Sequence, residues 1–302
     1  MYWMQAITPV HVGTGSQIEF VDLPIAREKA TDWPVVPGSG IKGVMSDHFK
    51  ASRPDQRRND PLLRAAFGAM DPKSPDEAAN SGALVYTNAR MVCLPVRSVF
   101  GTFAFATCHM ALVRLGRDLN AAECKLPGIV PEPKGDEGIL TPTDPKTALA
   151  DKDGKHIYLA DLDFPCTAST EAKAWADALA AWIFPDDNEW AAAFKQRFAV
   201  LDDDTFNYFS RTGTEITTRV RIDPDTKTVA GGQLWTEEAL PAESLLAGMV
   251  WCDKLFHKGD GKTEAEVLQH FCREPLSLQV GGKATVGRGR VRMSFSRQEV
   301  AK

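Results

Sequence analysis

The six cysteines, at 93, 108, 124, 166, 252 and 272, contain no C-x-x-C pair. That excludes a zinc knuckle and a thioredoxin-type motif, and suits the reduced, buried cysteines of an intracellular protein. There is no H-E-x-x-H, and the histidines at 11, 48, 109, 156, 257 and 270 fall at no ligand spacing, so no structural metal is expected. "GDGKT" at 259–263 resembles the end of a phosphate loop, but Phe256 stands where the upstream glycine is required. "HVGTGSQI" lacks the last glycine of a dinucleotide fingerprint, so a metabolic α/β enzyme has no cofactor signature here. "LDDD" and "ADLDF" read more readily as solvated caps than as cation sites. The longest apolar run, "ALAAWIF" at 178–184, is far too short to cross a bilayer. "MYWMQAITPV" has neither the basic nor the long apolar region of a signal peptide. A cytoplasmic protein with no membrane partner is the expectation.

What is present is ordinary globular material: 302 residues, 43% hydrophobic and 25% charged. That length allows about two domains, or one with large insertions. The net charge of −5 argues against a free-standing nucleic-acid binder, but its distribution is uneven. From Arg273 to Lys302 seven basic residues face two acidic ones, and from Asp136 to Asp187 eleven acids face four lysines. Such segregation fits a protein that holds a polyanion on one side.

Along the chain, "YWMQAITPV" reads as a strand. "PVVPGSGIKGVMSDHFKAS" reads as a helix with Ser39 as N-cap, since Ile41, Val44, Met45, His48 and Phe49 recur at helical spacing. "ALVYTNARMVCLPV" reads as one strand and "FATCHMALVRLGRDL" as a short helix. Residues 116–156, rich in Pro, Gly, Asp and Lys, read as a long loop or insertion. "EAKAWADALAAWIF" and "NEWAAAFKQRF" are helices, "LLAGMVWCDKL" a strand, "TEAEVLQHFCR" a helix, and "LSLQVGG" and "GRVRMSFS" strands. The order matches the β-α-β-β-α-β pattern of ferredoxin-like and RNA-recognition folds, with insertions between the second and third core strands.

Three features carry chemistry. In "PGSGIKG" the free N–H groups of a helix start suit a phosphate, and Lys42 lies off the apolar stripe; an ordinary capped helix with a surface lysine reads equally well. In "QVGGKATVGRGRVRM", four closely spaced glycines allow close backbone approach to a phosphodiester. Lys283, Arg288 and Arg290 are interleaved with them and add cationic contacts. In "TGTEITTRVRIDPDTKTV" apolar residues alternate with Arg219 and Arg221 around a turn. That is a protruding hairpin with a cationic face, able to wedge a nucleic acid or, more plainly, an edge hairpin guarded by arginines.

Taken with "TPVHVGTG", "VDLPIAREKATDWPVVPGSGIKGVM" and "RIDPDTKTVAGGQLWTEEALP", these features resemble the backbone RAMP subunit of the Cmr (type III-B) CRISPR effector complex. The matching subunit of the type III-A Csm complex is the nearest rival. The resemblance covers nearly the whole chain. It implies an α+β fold with a ferredoxin-like, RRM-type palm at about 1–115 and 245–302. An inserted helical or finger region falls at about 116–201, and a thumb hairpin at about 202–240. It implies a protein that stacks head-to-tail with further copies of itself along CRISPR RNA, beside other Cmr subunits, and cuts target RNA at regular intervals.

In that family the aspartate of the loop after the first strand is needed for cutting, and the matching position is Asp22. The helix start with Ser39 and Lys42, and the loop from Gly281 and Gly282 through Lys283, Arg288 and Arg290, match elements that lie beside the guide backbone. Gly40 stands where the family commonly has serine. His11 is a candidate RNA contact or second participant. Trp235, Glu237 and Glu238 are weaker thumb candidates for completing a neighbouring copy's site. Asp22 suits either general-base action on a 2′-hydroxyl or transient binding of Mg²⁺ or Mn²⁺ together with RNA phosphate. A non-catalytic guide-binding scaffold, with Asp22 merely capping a turn, is the alternative.

Overall fold

Both faces of the first strand are covered, and the rest of the architecture is built around that. The computed structural model describes residues 1–15, 21–51, 60–68, 80–223, 225–256 and 261–296. Its elements begin with β1 (Tyr2–Ala6), β2 (Val35–Val36), α1 (Gly38–Ala51), α2 (Pro61–Phe67), β3 (Leu84–Tyr86), β4 (Ala89–Arg97), β5 (Phe103–Cys108) and α3 (His109–Ala121). Next come β6 (Ile139–Pro142), β7 (His156–Leu159), β8 (Leu162–Ser169), α4 (Thr170–Ile183), α5 (Asn188–Arg197), β9 (Phe198–Leu201) and α6 (Asp203–Thr212). The hairpin β10 (Glu215–Ile222) and β11 (Val229–Ala239) precedes β12 (Leu245–Gly248), β13 (Val250–Cys252), α7 (Glu264–Phe271), β14 (Leu276–Gln279) and β15 (Arg290–Phe295).

One sheet runs in the order β14-β15-β1-β12-β4-β5-β9-β6-β8-β7, with β2 beside β4. Within it, β15-β1-β12-β4 is antiparallel throughout and has the strand order of a ferredoxin-like unit. Tyr2, Met4 and Ala6 of β1 join Ile41 and Met45 of α1 and Val267 and Phe271 of α7 in one core. Met1 and Trp3 join Leu112 and Leu115 of α3 and Trp175 and Leu179 of α4 in the other. Trp3 also stacks on Trp182, with centroids 5.3 Å apart. Helices on both faces explain why "YWMQA" shows no apolar–polar alternation.

Four expectations change. "FATC" is strand β5, not the start of a helix, because its side chains are buried between β4 and β9. The segment 116–156 is not all loop: β6 pairs parallel with β8 and antiparallel with β9, extending the palm sheet. "ALVYTNARMVCLPV" is two strands. β3 pairs with β13 in a separate ribbon, and β4 enters the main sheet. Ser39 is not the N-cap. Helix α1 starts at Gly38, two residues earlier than a Ser39 cap would require; the Pro37 carbonyl accepts from Ile41 N–H, and Ser39 sits exposed in the first turn.

Parts of the sequence reading lie outside the described residues: 16–20 of the loop after β1, Ser52, Pro224, His257 with 258–260 of the "GDGKT" region, and Arg297, Glu299 and Lys302 of the basic C-terminal stretch. Among the described residues no helix is long and apolar enough to cross a membrane.

Helix α1 starts where it does because the chain passes very close to β3. A Cβ on Gly38 would fall 2.2 Å from the Tyr86 carbonyl oxygen, whereas one on Gly40 would meet nothing within 4 Å. Gly38→Ala should therefore cost about 1–3 kcal/mol through overpacking. Gly40→Ala, in the same turn, should add about 0.4–1 kcal/mol by restricting the unfolded chain. Urea unfolding of the two variants checks this, and equal effects would contradict it.

Candidate nucleic-acid interface

The loop leaving β1 folds back on itself. Ala26 N–H donates to the Val12 carbonyl (2.8 Å) and Thr14 N–H to that of Pro24 (3.3 Å). Its outgoing arm is tied to the thumb, where Val10 and Leu240 exchange both backbone hydrogen bonds (2.8 and 2.9 Å). Its returning arm lies along the free edge of β11. Leu23 N–H donates to the Thr236 carbonyl (3.1 Å), and Glu238 N–H donates to that of Leu23 (3.0 Å). The bridge between Leu23 and Glu237 is parallel, so residues 22–24 form a short third strand at the base of the hairpin.

Asp22 sits on this edge. Its Oδ2 accepts from Thr236 N–H (2.7 Å) and Thr236 Oγ1 (2.9 Å), and its own N–H donates back to Thr236 Oγ1 (3.0 Å). The Thr236 peptide N–H, then its hydroxyl, favour the ionised form and hold the Asp22 carboxyl below its usual range. Oδ1 takes no hydrogen bond among the described residues, and the side chain is half-buried.

Glu238 fastens the loop from inside. Its carboxylate pairs with Arg27 (2.5 Å) and accepts from Ile25 N–H (3.0 Å) and Thr214 Oγ1 (2.9 Å). Its carbonyl oxygen lies 2.7 Å from His11 Nδ1. A carbonyl can only accept, so Nδ1 carries the proton and the ring is oriented by the thumb. Further along, Glu28 takes two bonds from Arg114 of α3 (2.6 and 2.8 Å), and that guanidinium stacks over Trp33.

The glycine-rich loop closes the third side. Gly282 N–H donates to the His11 carbonyl (2.9 Å) and Gly289 N–H to that of Pro9 (2.8 Å). Gly281 is obligatory: its φ is +76°, and a Cβ would stand 2.2 Å from the His11 carbonyl oxygen. Gly281 and Arg290 are exposed, and the Gly281 N–H takes no partner among the described residues, whereas those of Gly282, Gly287 and Gly289 are spent within the chain. The Arg290 guanidinium donates to Ser277 Oγ (3.0 Å) and still presents a cation to solvent.

The other cations lie less freely than the sequence suggests. Lys283 pairs with Glu237 (2.9 Å), which also takes the Trp235 indole N–H (2.8 Å) and faces Arg219 (3.4 Å). Arg288 is buried rather than presented. It donates to Thr217 Oγ1 (3.0 Å) and lies 3.8 Å from Glu215. Lys42 is half-buried, with Nζ 3.3 Å from the Gly82 carbonyl, and burial lowers its pKa. Glu237 and Glu238 are turned into their own chain, not toward a neighbouring copy.

The hairpin also differs from the expected cationic blade. The face with Glu215, Thr217 and Arg219 lies against the glycine-rich loop. The face open to solvent is apolar, with Ile216, Val220, Ile222, Val229 and Leu234 exposed. Arg221 is exposed near the tip. Asp22, His11 and the glycine-rich loop thus meet at the thumb base, whereas Lys42 and Ser39 belong to the separate α1 start. Thr236 escaped the sequence reading because a threonine in a strand carries no chemical signature. Its position two residues before a buried glutamate, in "LWTEEALP", is the only hint.

A profile of the RAMP superfamily matches residues 3–292. The chain is a RAMP protein. This RAMP chain is 30% identical over 297 residues to the CRISPR system Cmr endoribonuclease Cmr4 of Pyrococcus furiosus, covering 97% of the chain and 94% of that protein. It shares its fold with crystalline oligomeric Cmr4 from Pyrococcus furiosus, with a TM-score of 0.70 at 22% identity over 97% and 95% of the two chains. It also shares it with a chain of the type III-B Cmr-beta complex bound to cognate target RNA, with a TM-score of 0.70 at 19% identity over 97% and 95%.

The ion pairs around Glu237 should make the stability of the fold depend on pH. Burial pushes the Glu237 carboxyl up, but the Lys283 ammonium, the Trp235 N–H and Arg219 outweigh it and bring its pKa from 4.5 down to about 2. A depressed carboxyl stabilises the fold fully above its unfolded pKa and loses that contribution as pH falls through the folded one. Wild type should therefore lose on the order of 3 kcal/mol from this group between pH 4.5 and about 2, and Glu237→Gln should flatten that part of the curve. Thermal melts of both proteins across this window check it; parallel curves would contradict it.

Proposed function

We propose that the chain is the guide-RNA-binding backbone subunit of a type III-B effector complex and cuts target RNA complementary to the guide. The observation that carries this is the placement of Asp22. A carboxylate kept ionised by Thr236, with Oδ1 taking no hydrogen bond among the described residues, sits on the edge of the base of a projecting hairpin. The kinship with the Pyrococcus furiosus endoribonuclease over almost the whole chain supports the reading.

The chemistry follows from orientation. The guide backbone lies along the glycine-rich loop and the α1 start, where backbone N–H groups, Arg290 and Lys42 meet phosphates. The exposed aliphatic face of the hairpin displaces a base of the guide–target duplex. The freed nucleotide lets its 2′-hydroxyl swing into line with the adjacent phosphodiester. Asp22 Oδ1 accepts the 2′-hydroxyl proton or orients that hydroxyl; attack of the 2′-oxygen on phosphorus breaks the bond to the 5′-oxygen, which leaves with a proton from water, and a 2′,3′-cyclic phosphate remains. The buried His11 ring supports the loop through the Glu238 carbonyl.

Among the described residues no three His, Cys, Asp or Glu side chains converge to hold a metal ion. A carboxylate oxygen that takes no hydrogen bond among the described residues, beside the proposed RNA path, fits a hard cation shared with phosphate oxygens and water. Mg²⁺ or Mn²⁺ bound there, with Asp22 as its protein ligand, would neutralise phosphate charge. Copies stack head-to-tail along the guide, because a repeating backbone presents the same site at each step. The cytoplasm is the proposed compartment.

Asp22→Asn in the assembled complex should leave guide binding intact and reduce target cleavage on the order of 10²-fold or more, in line with loss of a positioned acid–base group. Cleavage at the wild-type rate would leave the scaffold reading, which the two bonds from Thr236 to Asp22 Oδ2 also suit. Binding of guide RNA should weaken with salt. Lys42→Gln and Arg290→Gln should each flatten log affinity against log salt by about 0.7. Arg288→Gln should leave that slope alone and lower the melting temperature, since its guanidinium is buried in the thumb base. An equal slope change from Arg288→Gln would place the RNA path under the hairpin.

A further inference from the structure

We propose that Thr236 is the positioning residue for cleavage: it holds one carboxylate oxygen of Asp22 so that the other faces the RNA. This rests on the reading of Asp22 given above. Thr236 engages Asp22 reciprocally. Its hydroxyl donates to Oδ2 and accepts from the Asp22 N–H, and its peptide N–H adds a second bond to Oδ2. The hydroxyl's single proton is committed to that oxygen, which leaves Oδ1 without a partner among the described residues.

A carboxylate at the end of a loop would otherwise sample several rotamers, and each misaimed one removes it from the reacting hydroxyl. The β-branched threonine, held in a paired strand, is itself stiff at χ1, so the constraint passes from β11 to the carboxylate. Thr218 stands opposite Thr236 in the hairpin, and Leu23 bonds the Thr236 carbonyl. The element that splays the duplex therefore also aims the acid. Cutting is coupled to thumb seating with no need for a separate switch.

The test uses the complete complex loaded with guide RNA, with single-turnover cleavage measured beside guide and target affinity. Thr236→Val keeps the β-branch and the peptide N–H but removes the hydroxyl. It should slow cleavage on the order of 10- to 100-fold with both affinities unchanged, the scale expected for a misplaced reacting group. Thr236→Ser restores the hydroxyl and should recover to within about 3-fold of wild type. Wild-type cleavage by Thr236→Val, beside an inactive Asp22→Asn, would overturn the proposal while leaving Asp22 catalytic. Loss of guide binding in step with cleavage would overturn it too, because Thr236 would then support the thumb rather than aim the acid. If Asp22→Asn cuts as wild type does, the functional reading fails and this inference falls with it.

Discussion

The site depends on one buried charge, the carboxylate of Glu238. An unpaired buried carboxylate would be prohibitively costly, so every group around it is arranged to satisfy it. Arg27 supplies the counter-charge, Ile25 a backbone donor and Thr214 a hydroxyl. Those three come from the returning arm of the β1 loop and from the entry to the hairpin. Glu238 itself is on the exit strand. Its peptide adds Leu23 on one side and His11 on the other. One residue thereby joins four stretches of chain, and Asp22 is held in place because its neighbours are.

A second layer of charge sits on the opposite face of the same strand. Side chains alternate along β11, so Glu237 points away from Glu238 and toward the glycine-rich loop. There it gathers Lys283 and Arg219, while Glu215 faces Arg288. The hairpin is thus seated on the palm by ion pairs and on the Asp22 loop by backbone bonds. Its remaining face, lined by aliphatic side chains, is left free. Seating and wedging use different surfaces of one two-stranded element.

The palm was legible because its signals are local. Helical spacing marks Ile41, Val44 and Met45, "TEAEVLQHFCR" is helix α7 as read, and "LSLQVGG" and "GRVRMSFS" hold strands β14 and β15 as read. Position in the chain, together with the family resemblance, singled out Asp22. What local pattern does not contain is where a charge goes. Arg288 and Arg290 look equivalent in "GRGRVRM", yet one is buried beneath the hairpin and the other faces water. "FATC" defeats periodicity because a strand covered on both faces has no polar phase to display. Thr236 was invisible for a related reason. Its role comes from a bond to a residue 214 positions away.

The internal pairing of Lys283, Arg219 and Arg288 also bears on how the protein meets nucleic acid. Cations matched by Glu237 and Glu215 project little field into solvent, and what remains is screened within about 8 Å at physiological ionic strength. Long-range steering of a polyanion is correspondingly weak, and encounter proceeds at an ordinary rate rather than an electrostatically enhanced one. For the function proposed above, binding of a guide strand would then rest on fit to the backbone contour of the loop more than on bare positive charge, because carboxylates stand where a simpler binding surface would carry none.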